Sequence, residues 1–195
     1  MSQADREKWD ARWRARDYES VEPSAWLTSL GDLLPTRGPA LDVAGGAGRN
    51  SIWLARRGLD VVCVDVSEVG LSLAQAAAEA AGVRIETVRA DLDGDPLPAG
   101  PFDVVLSFHF LRRELFAAFP GVLASGGLLV YAQPTKRNLE RHARPPAGFL
   151  IEEGELPSLV VGIGGLGGLE IVRYEEGWLD EGRHEARMVA RKPSG

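Results

Sequence analysis

The sequence predicts an α/β domain built on one doubly wound sheet, mostly parallel, with seven strands and an antiparallel strand pair at its C-terminal end. Three observations carry this expectation. Short apolar runs alternate with amphipathic or alanine-rich segments between Pro39 and Ala132. A glycine-rich turn, Gly45-Gly46-Ala47-Gly48, follows the first of these runs. The last two strand-like runs are joined by a connection too short for a helical crossover. Repeated strand–helix units give a parallel sheet with helices on both faces, whereas a short link forces antiparallel pairing.

A chain of 195 residues that is 45% hydrophobic and 26% charged fits a single soluble domain with a sizeable core. Its net charge of −6 argues against a nucleic-acid backbone as the main partner. Cys63 is the single cysteine, which excludes an intrachain disulfide and a cysteine zinc cluster and fits a reducing compartment. The charged N-terminus lacks an apolar secretory core, and no apolar run is long enough to span a bilayer. The expectation is a cytoplasmic protein with no nucleic-acid and no membrane partner.

Taken in order, Ala4 to Arg16 has helical composition and places Trp9 and Trp13 four residues apart on one face. Either the two rings anchor a surface helix, or they cover a ligand as a lid. A second helix is expected from Pro23 and Ser24 to Leu34, with Trp26, Leu27, Leu30, Leu33 and Leu34 as its apolar stripe and Pro35 as its stop. Residues 1–36 thus read as N-terminal helices and 37–195 as the main unit of one structural domain.

Ala40, Leu41, Val43 and Ala44 read as a buried central strand, and Ile52 to Ala55 as the helix after the glycine turn. Leu59 to Val66 is a second strand ending in Asp65. Ser67 is positioned to cap a helix carrying Leu71, Ala74, Ala78 and Ala81, and Gly82 to stop it. Val83 to Val88 and Phe102 to Phe108 are the next strands. A helix with Leu115, Phe116, Phe119 and Leu123 follows, then a turn at Ser125-Gly126-Gly127 and a strand from Leu128 to Ala132. Leu169 to Tyr174 and Glu185 to Ala190 close the sheet.

Ligands of open parallel sheets bind beyond the carboxyl ends of the strands, beside the point where strand order reverses. That rule gathers Gly45 to Gly48, Asp65, Asp91 and Ser107 to Phe110. Glycines let a backbone approach a ligand closely, and the following helix offers unpaired N–H groups. A carboxylate about 20 residues past such a turn suits the two hydroxyls of a ribose, which is where Asp65 stands. Asp91 and the backbone N–H of Leu92 are placed to meet an adenine.

These residues carry a resemblance. LDVAGGAGRNSIWLARRG, VVCVDVS, ADLDGDPLP and FDVVLSFHFL resemble the class I S-adenosylmethionine-dependent methyltransferases, a Rossmann-like family. The Gly48-Arg49-Asn50 continuation is similar to the branch containing the tellurite-resistance methyltransferases. The resemblance implies S-adenosylmethionine as cofactor and S-adenosylhomocysteine as product. It places Gly46 and Gly48 against the methionine part, Asp42 under the loop and its ammonium, Asp65 with Val66 at the ribose, Asp91 and Leu92 at the adenine, and Ser107 beside the methionine. Arg49 is expected near the methionine carboxylate. The family's first loop glycine is here Ala44, which is tolerable because φ need not be positive at a strand end. A nicotinamide oxidoreductase shares the strand–turn–helix unit, but its third glycine would fall at Ser51. Gly162, Gly164 and Gly167 repeat that spacing with no helix behind them and read as a connection.

A methyl on a sulfonium is already activated, so transfer needs a positioned acceptor more than a strong catalyst. His109, just past the fourth strand, is the candidate catalytic base; the competing reading packs it between Phe108 and Phe110. Tyr131 and Gln133 end the fifth strand and are candidates to orient a small-molecule acceptor. Arg112, Arg137 and Arg144 are candidates to draw a small anion, since arginine suits oxyanions. A thiol or a metalloid oxyanion such as tellurite is the acceptor suggested by the nearest branch. Binding without turnover, as a sensor or accessory subunit, is the alternative. Cys63 reads as inert core, and no metal-ligand spacing accompanies His184.

Overall fold

Apolar runs that must be buried on both faces settle into the middle of a sheet, and they do so here. The structure is a computed structural model and describes residues 3–15, 22–161 and 168–194. Seven strands are present: β1 (Gly38–Val43), β2 (Leu59–Asp65), β3 (Glu86–Arg89), β4 (Phe102–Phe108), β5 (Leu123–Pro134), β6 (Glu170–Trp178) and β7 (His184–Arg191). Their order across the sheet is β3-β2-β1-β4-β5-β7-β6. Strands β1 to β5 pair in parallel, and β7 pairs antiparallel with both β5 and β6. Strand order therefore reverses between β1 and β4, where a crevice opens at the carboxyl ends.

Side chains alternate between two apolar layers, as the period of a strand requires. Leu41, Val43, Val105, Leu129, Tyr131 and Met188 join one core cluster. Ala40, Val104, Leu106, Val130 and Val189 join the other, which Trp26, Leu27, Leu30 and Leu54 complete. The described helices are α1 (Gln3–Arg14), α2 (Ala25–Ser29), α3 (Arg49–Arg56), α4 (Glu68–Ala80), α5 (Phe119–Val122) and α6 (Glu155–Val161). Among them none is long and apolar enough to cross a membrane.

Four local expectations need correction. The helix expected through Leu34 keeps α geometry only to Ser29; Leu33 and Leu34 both turn back to the Leu30 carbonyl, and their side chains still reach the core. Strand β3 begins at Glu86 rather than Val83, because the Val83 N–H closes the end of α4 on the Ala78 carbonyl. The helix expected from Leu115 to Leu123 is a 3-10 turn at Arg113–Ala117 followed by the single turn α5. Pro120 has no N–H to continue the ladder and its ring opposes the preceding turn. The Ser125-Gly126-Gly127 turn is absorbed into β5, where Gly126 and Gly127 exchange backbone hydrogen bonds with Lys192. The Gly162, Gly164 and Gly167 connection and the Arg16 end of the first helix lie outside the described residues.

Candidate active site

The glycine turn is built on two buried carboxylates. Asp42, inside β1 and 2% exposed, accepts a hydrogen bond from Ser51 Oγ at 2.6 Å. Burial pushes its carboxyl up to about 6, an effect that the Ser51 bond and the Arg49 charge only partly oppose. Asp65, at the end of β2, accepts from the Gly46 N–H at 2.9 Å with Oδ2 and from the Ser67 N–H at 2.8 Å with Oδ1. Burial raises its carboxyl as well, against the lowering influence of the Ser67, Gly46 and Val66 N–H groups. Cys63 packs behind the turn, fully buried, with its thiol pushed far up by burial.

Ala44 departs from the expectation. Its φ is 56°, in the left-handed region, so an alanine is held where its family counterpart is glycine and the residue is strained. Gly46 meets expectation: a Cβ there would lie 2.3 Å from Trp13 Cζ2, so the turn does present bare backbone to a covering group. Gly48 does not. A Cβ on it would collide with Ala74 Cβ at 2.7 Å, so its lack of a side chain serves the seating of α3 against α4 rather than a ligand.

A cavity of about 260 Å³ opens at the switch point. Of the residues read from the sequence, Ala44, Asp65, Val66, Leu92 and His109 line it, together with Trp9 and Trp13 of α1. Ala90, Asp93, Phe110, Leu111, Gly148 and Phe149 complete the wall. Phe110 is itself within the stretch that the strand-end rule selects, and Ala90, Asp93 and Leu111 sit beside selected residues; Gly148 and Phe149, from the loop after β5, carried no sequence signal. Helix α1 is docked by Asp10, whose Oδ1 accepts from Ser67 Oγ at 2.5 Å and from the Val69 N–H at 3.3 Å. Trp13 thereby lies between Gly46 and Gly70.

Several expected residues are placed elsewhere. Asp91 is not in the wall: its Oδ1 accepts from the Asp93 N–H in the turn after β3. Arg49 is exposed at the start of α3, and Ser107 is fully buried with its hydroxyl unpartnered. Tyr131 is core: it is 1% exposed, packs on Phe116 and Phe119, and donates to the Phe110 carbonyl at 2.7 Å. Gln133 acts at one remove, its Nε2 holding the Phe149 carbonyl at 2.6 Å. The arginines expected to draw an anion are spent on carboxylates or face away. Arg112 bonds the Leu92 carbonyl and pairs with Asp93 and Glu114. Arg137 pairs with Glu140 and Glu153, and Arg144 is exposed outside the cavity wall.

His109 is the residue the structure enriches most. Its φ is 59°, its N–H donates to the Ala132 carbonyl at 2.8 Å, and its Nε2 lies 2.7 Å from Glu185 Oε1. Glu185 is 5% exposed; burial alone would raise its carboxyl, but the His109 hydrogen bond and the charges of Arg183 and Arg187 bring it below the usual carboxylate range. Glu185 went unselected in the sequence, because only the pairing of β7 with β5 brings it to this rim. The same hairpin brings Glu153, Glu176 and His184 together, one ligand atom of each within 4.8 Å of the others. Each has partners already: Arg137 for Glu153, the Gly154 N–H for Glu176 and Thr135 Oγ1 for His184.

The residues fit S-adenosylmethionine. Asp65 offers a buried carboxylate on the cavity, and Leu92 an apolar wall where an adenine edge is expected. Comparison with known proteins agrees. A family described as "Methyltransferase domain" matches residues 40–127. A demethylmenaquinone methyltransferase of Thermus thermophilus is 34% identical over 128 residues, covering 62% of this chain and 53% of that protein. An uncharacterized protein of Mycobacterium tuberculosis is 38% identical over 101 residues, covering 49% of this chain and 36% of its own. The chain thus spans about a third to a half of the length of these curated relatives. The crystal structure of TehB from Haemophilus influenzae superposes with a TM-score of 0.72 at 21% identity, covering 90% of this chain and 64% of that one.

Residues 40–127 thus match a methyltransferase-domain family, and the fold is shared with TehB.

Proposed function

We propose that this chain transfers the methyl group of S-adenosylmethionine to a small-molecule acceptor bound in the cavity at the ends of β1, β2 and β4. The observation that carries the reading is the convergence of Ala44, Asp65, Val66, Leu92 and His109 on one cavity wall. Asp65 receives the ribose hydroxyls while its remaining lone pairs keep the Gly46 and Ser67 N–H groups in place. Ala90 and Leu92 flank the adenine, and the methionine part reaches the face of Gly46 that the Trp13 ring covers in this structure when α1 moves aside. The cofactor supplies an activated methyl group, so the protein's task is to hold the acceptor in line and exclude water.

Helix α1 is the lid of this site. Trp9 and Trp13 lie on the cavity, and Asp10 latches the helix to the first turn of α4. Residues 1–36 then form the cover and 37–195 the transfer domain. The acceptor is a small neutral molecule rather than a metalloid oxyanion. The titratable side chains in the wall are Asp65, Asp93 and His109, and no arginine or lysine lines it among the described residues. Coulomb repulsion by Asp65 works against a multiply charged oxyanion.

Calorimetric titration with S-adenosylmethionine and S-adenosylhomocysteine tests the cofactor site. Both should bind with micromolar affinity, and Asp65→Asn should weaken binding by about 1–3 kcal/mol through the loss of charge-assisted hydrogen bonds. Absence of binding by the folded wild-type protein would overturn the reading.

A further inference from the structure

We infer that Glu185 positions His109 as the base that removes a hydroxyl proton, so that the acceptor is a neutral, ring-bearing molecule whose reacting group is a phenolic or enolic O–H. This rests on the methyl-transfer reading above and deepens it. The geometry begins with the sheet. Side chains alternate along β4, so Val104, Leu106 and Phe108 face one core layer, and a regular strand would send residue 109 to the opposite face with Ser107. Glu185 lies on the Phe108 face, in step with Val189 four residues further along β7. A histidine in extended conformation at 109 would therefore point away from Glu185. The left-handed φ of 59° redirects it, and the Ala132 carbonyl holds the backbone there at 2.8 Å. Non-glycine residues leave the extended region at a cost, and such strain collects where a side chain must be aimed.

The contact it makes fixes the proton. A carboxylate only accepts, so the ring nitrogen at 2.7 Å from Glu185 Oε1 must carry the hydrogen, and Nε2–H is the tautomer selected. Nδ1 is then the lone-pair nitrogen, on a residue that lines the cavity and whose side chain is 30% exposed. Glu185 keeps its charge because Arg183 Nε lies 3.2 Å from the same carboxylate oxygen and Arg187 is nearby. Asp65 and Asp93 are charged groups of the wall, with Arg112 paired to Asp93 and Lys8 over the Phe149 ring.

The acceptor class follows from what such a pair adds. A thiol ionises near neutral pH and gains little from a base, whereas a phenol near pKa ~10 stays protonated and gains much. Trp9, Trp13, Phe110 and Phe149 give the wall the aromatic character that suits a flat apolar ring. In the step, the acceptor oxygen forms a bond to the methyl carbon as the sulfur–methyl bond breaks, with that electron pair returning to sulfur. The hydroxyl proton passes to His109 Nδ1, and the products are the methyl ether, S-adenosylhomocysteine and a protonated imidazole that releases its proton to solvent.

The test compares wild type, Glu185→Gln and His109→Gln on a phenol and on 4-nitrophenol, which is already ionised at pH 8, alongside nitrogen NMR of the ring. Wild type should show His109 in one tautomer, with hydrogen on Nε2. Glu185→Gln should lower kcat on the phenol about 10–100-fold while changing kcat on 4-nitrophenol little, with S-adenosylmethionine affinity preserved. Equal loss on both acceptors, or His109 carrying its hydrogen on Nδ1, would overturn the inference. Wild type that binds S-adenosylmethionine yet methylates neither phenol would overturn the acceptor class and leave the cofactor site standing.

Discussion

Asp42 should make this protein less stable at neutral pH than in mild acid, and replacing it should remove that penalty. Its carboxyl is raised from 3.8 to about 6 in the folded state, chiefly by burial. A native group that holds its proton more tightly than the unfolded chain stabilises the fold while protonated. Stability from this residue is therefore highest below about pH 4 and falls as pH rises, most of it between 4 and 6. The difference of about two pH units corresponds to about 3 kcal/mol lost by pH 8. Asp42→Asn is neutral throughout and still offers an oxygen to Ser51 Oγ, so it should lack this share of the pH dependence and keep only that of the remaining carboxylates. Urea unfolding at pH 4, 5, 6 and 8 measures both curves. Near pH 4 the two proteins should be similar; at pH 8 the variant should be more stable by about 1–3 kcal/mol. Parallel curves would refute the reasoning, because they would mean that Asp42 is solvated or paired well enough to ionise normally. The same variant should bind S-adenosylmethionine more weakly, since the ionised carboxylate lies beneath the turn that receives the positively charged methionine part.

The other expectations are smaller and equally direct. Ala44→Gly should relieve a left-handed alanine and, after the greater chain entropy of glycine, stabilise the fold by about 0.5–1 kcal/mol, readable as a rise in Tm. Asp10→Ala removes the acceptor for Ser67 Oγ and the Val69 N–H, so trypsin should cleave α1 at Arg12 or Arg14 several times faster. Saturating S-adenosylmethionine should slow that cleavage in wild type, and an unchanged rate would leave α1 as a fixed surface helix rather than a lid. Cys63 should resist a thiol reagent in the native protein and react stoichiometrically after unfolding, since it is fully buried with its thiol pushed up.

What could be read from the sequence was whatever depends on neighbours along the chain. β4 matches its expected ends, Phe102 and Phe108, because a doubly buried strand must be apolar throughout. Asp65 was legible because a strand end, a turn and a carboxylate stand at a fixed separation. Glu185 was not, because its role depends on β7 pairing beside β5 and on a backbone reversal at His109 that no local pattern announces. The arginines misled for a similar reason. Arg137 and Lys136 look like a free basic cluster until the loop after β5 folds back and delivers Glu153 and Glu152 to them. Pro120 is the contrary case, a visible helix breaker inside an apolar run whose periodicity took precedence in the reading.

The strained and desolvated groups are not scattered. Ala44 and His109, the non-glycine residues with positive φ among those described, leave the adjacent strands β1 and β4, which pair at Val43 and Ser107. Asp42 and Asp65 lie under the same turn, each raised by burial. Every one of these features destabilises the folded state relative to a relaxed alternative, so each must be offset by the two apolar layers beneath the rim. This arrangement makes the sign of a substitution informative. At Asp42, relaxing the local conflict should stabilise the fold and weaken cofactor binding together, the opposed signs expected where stability is given up for a shaped site. At Leu41 or Val105, beneath the rim and fully buried, truncation should lower stability by about 1–4 kcal/mol and affect binding only through the fraction unfolded. A core position that behaved like Asp42, or an Asp42 that behaved like a core position, would place the boundary of the working site elsewhere.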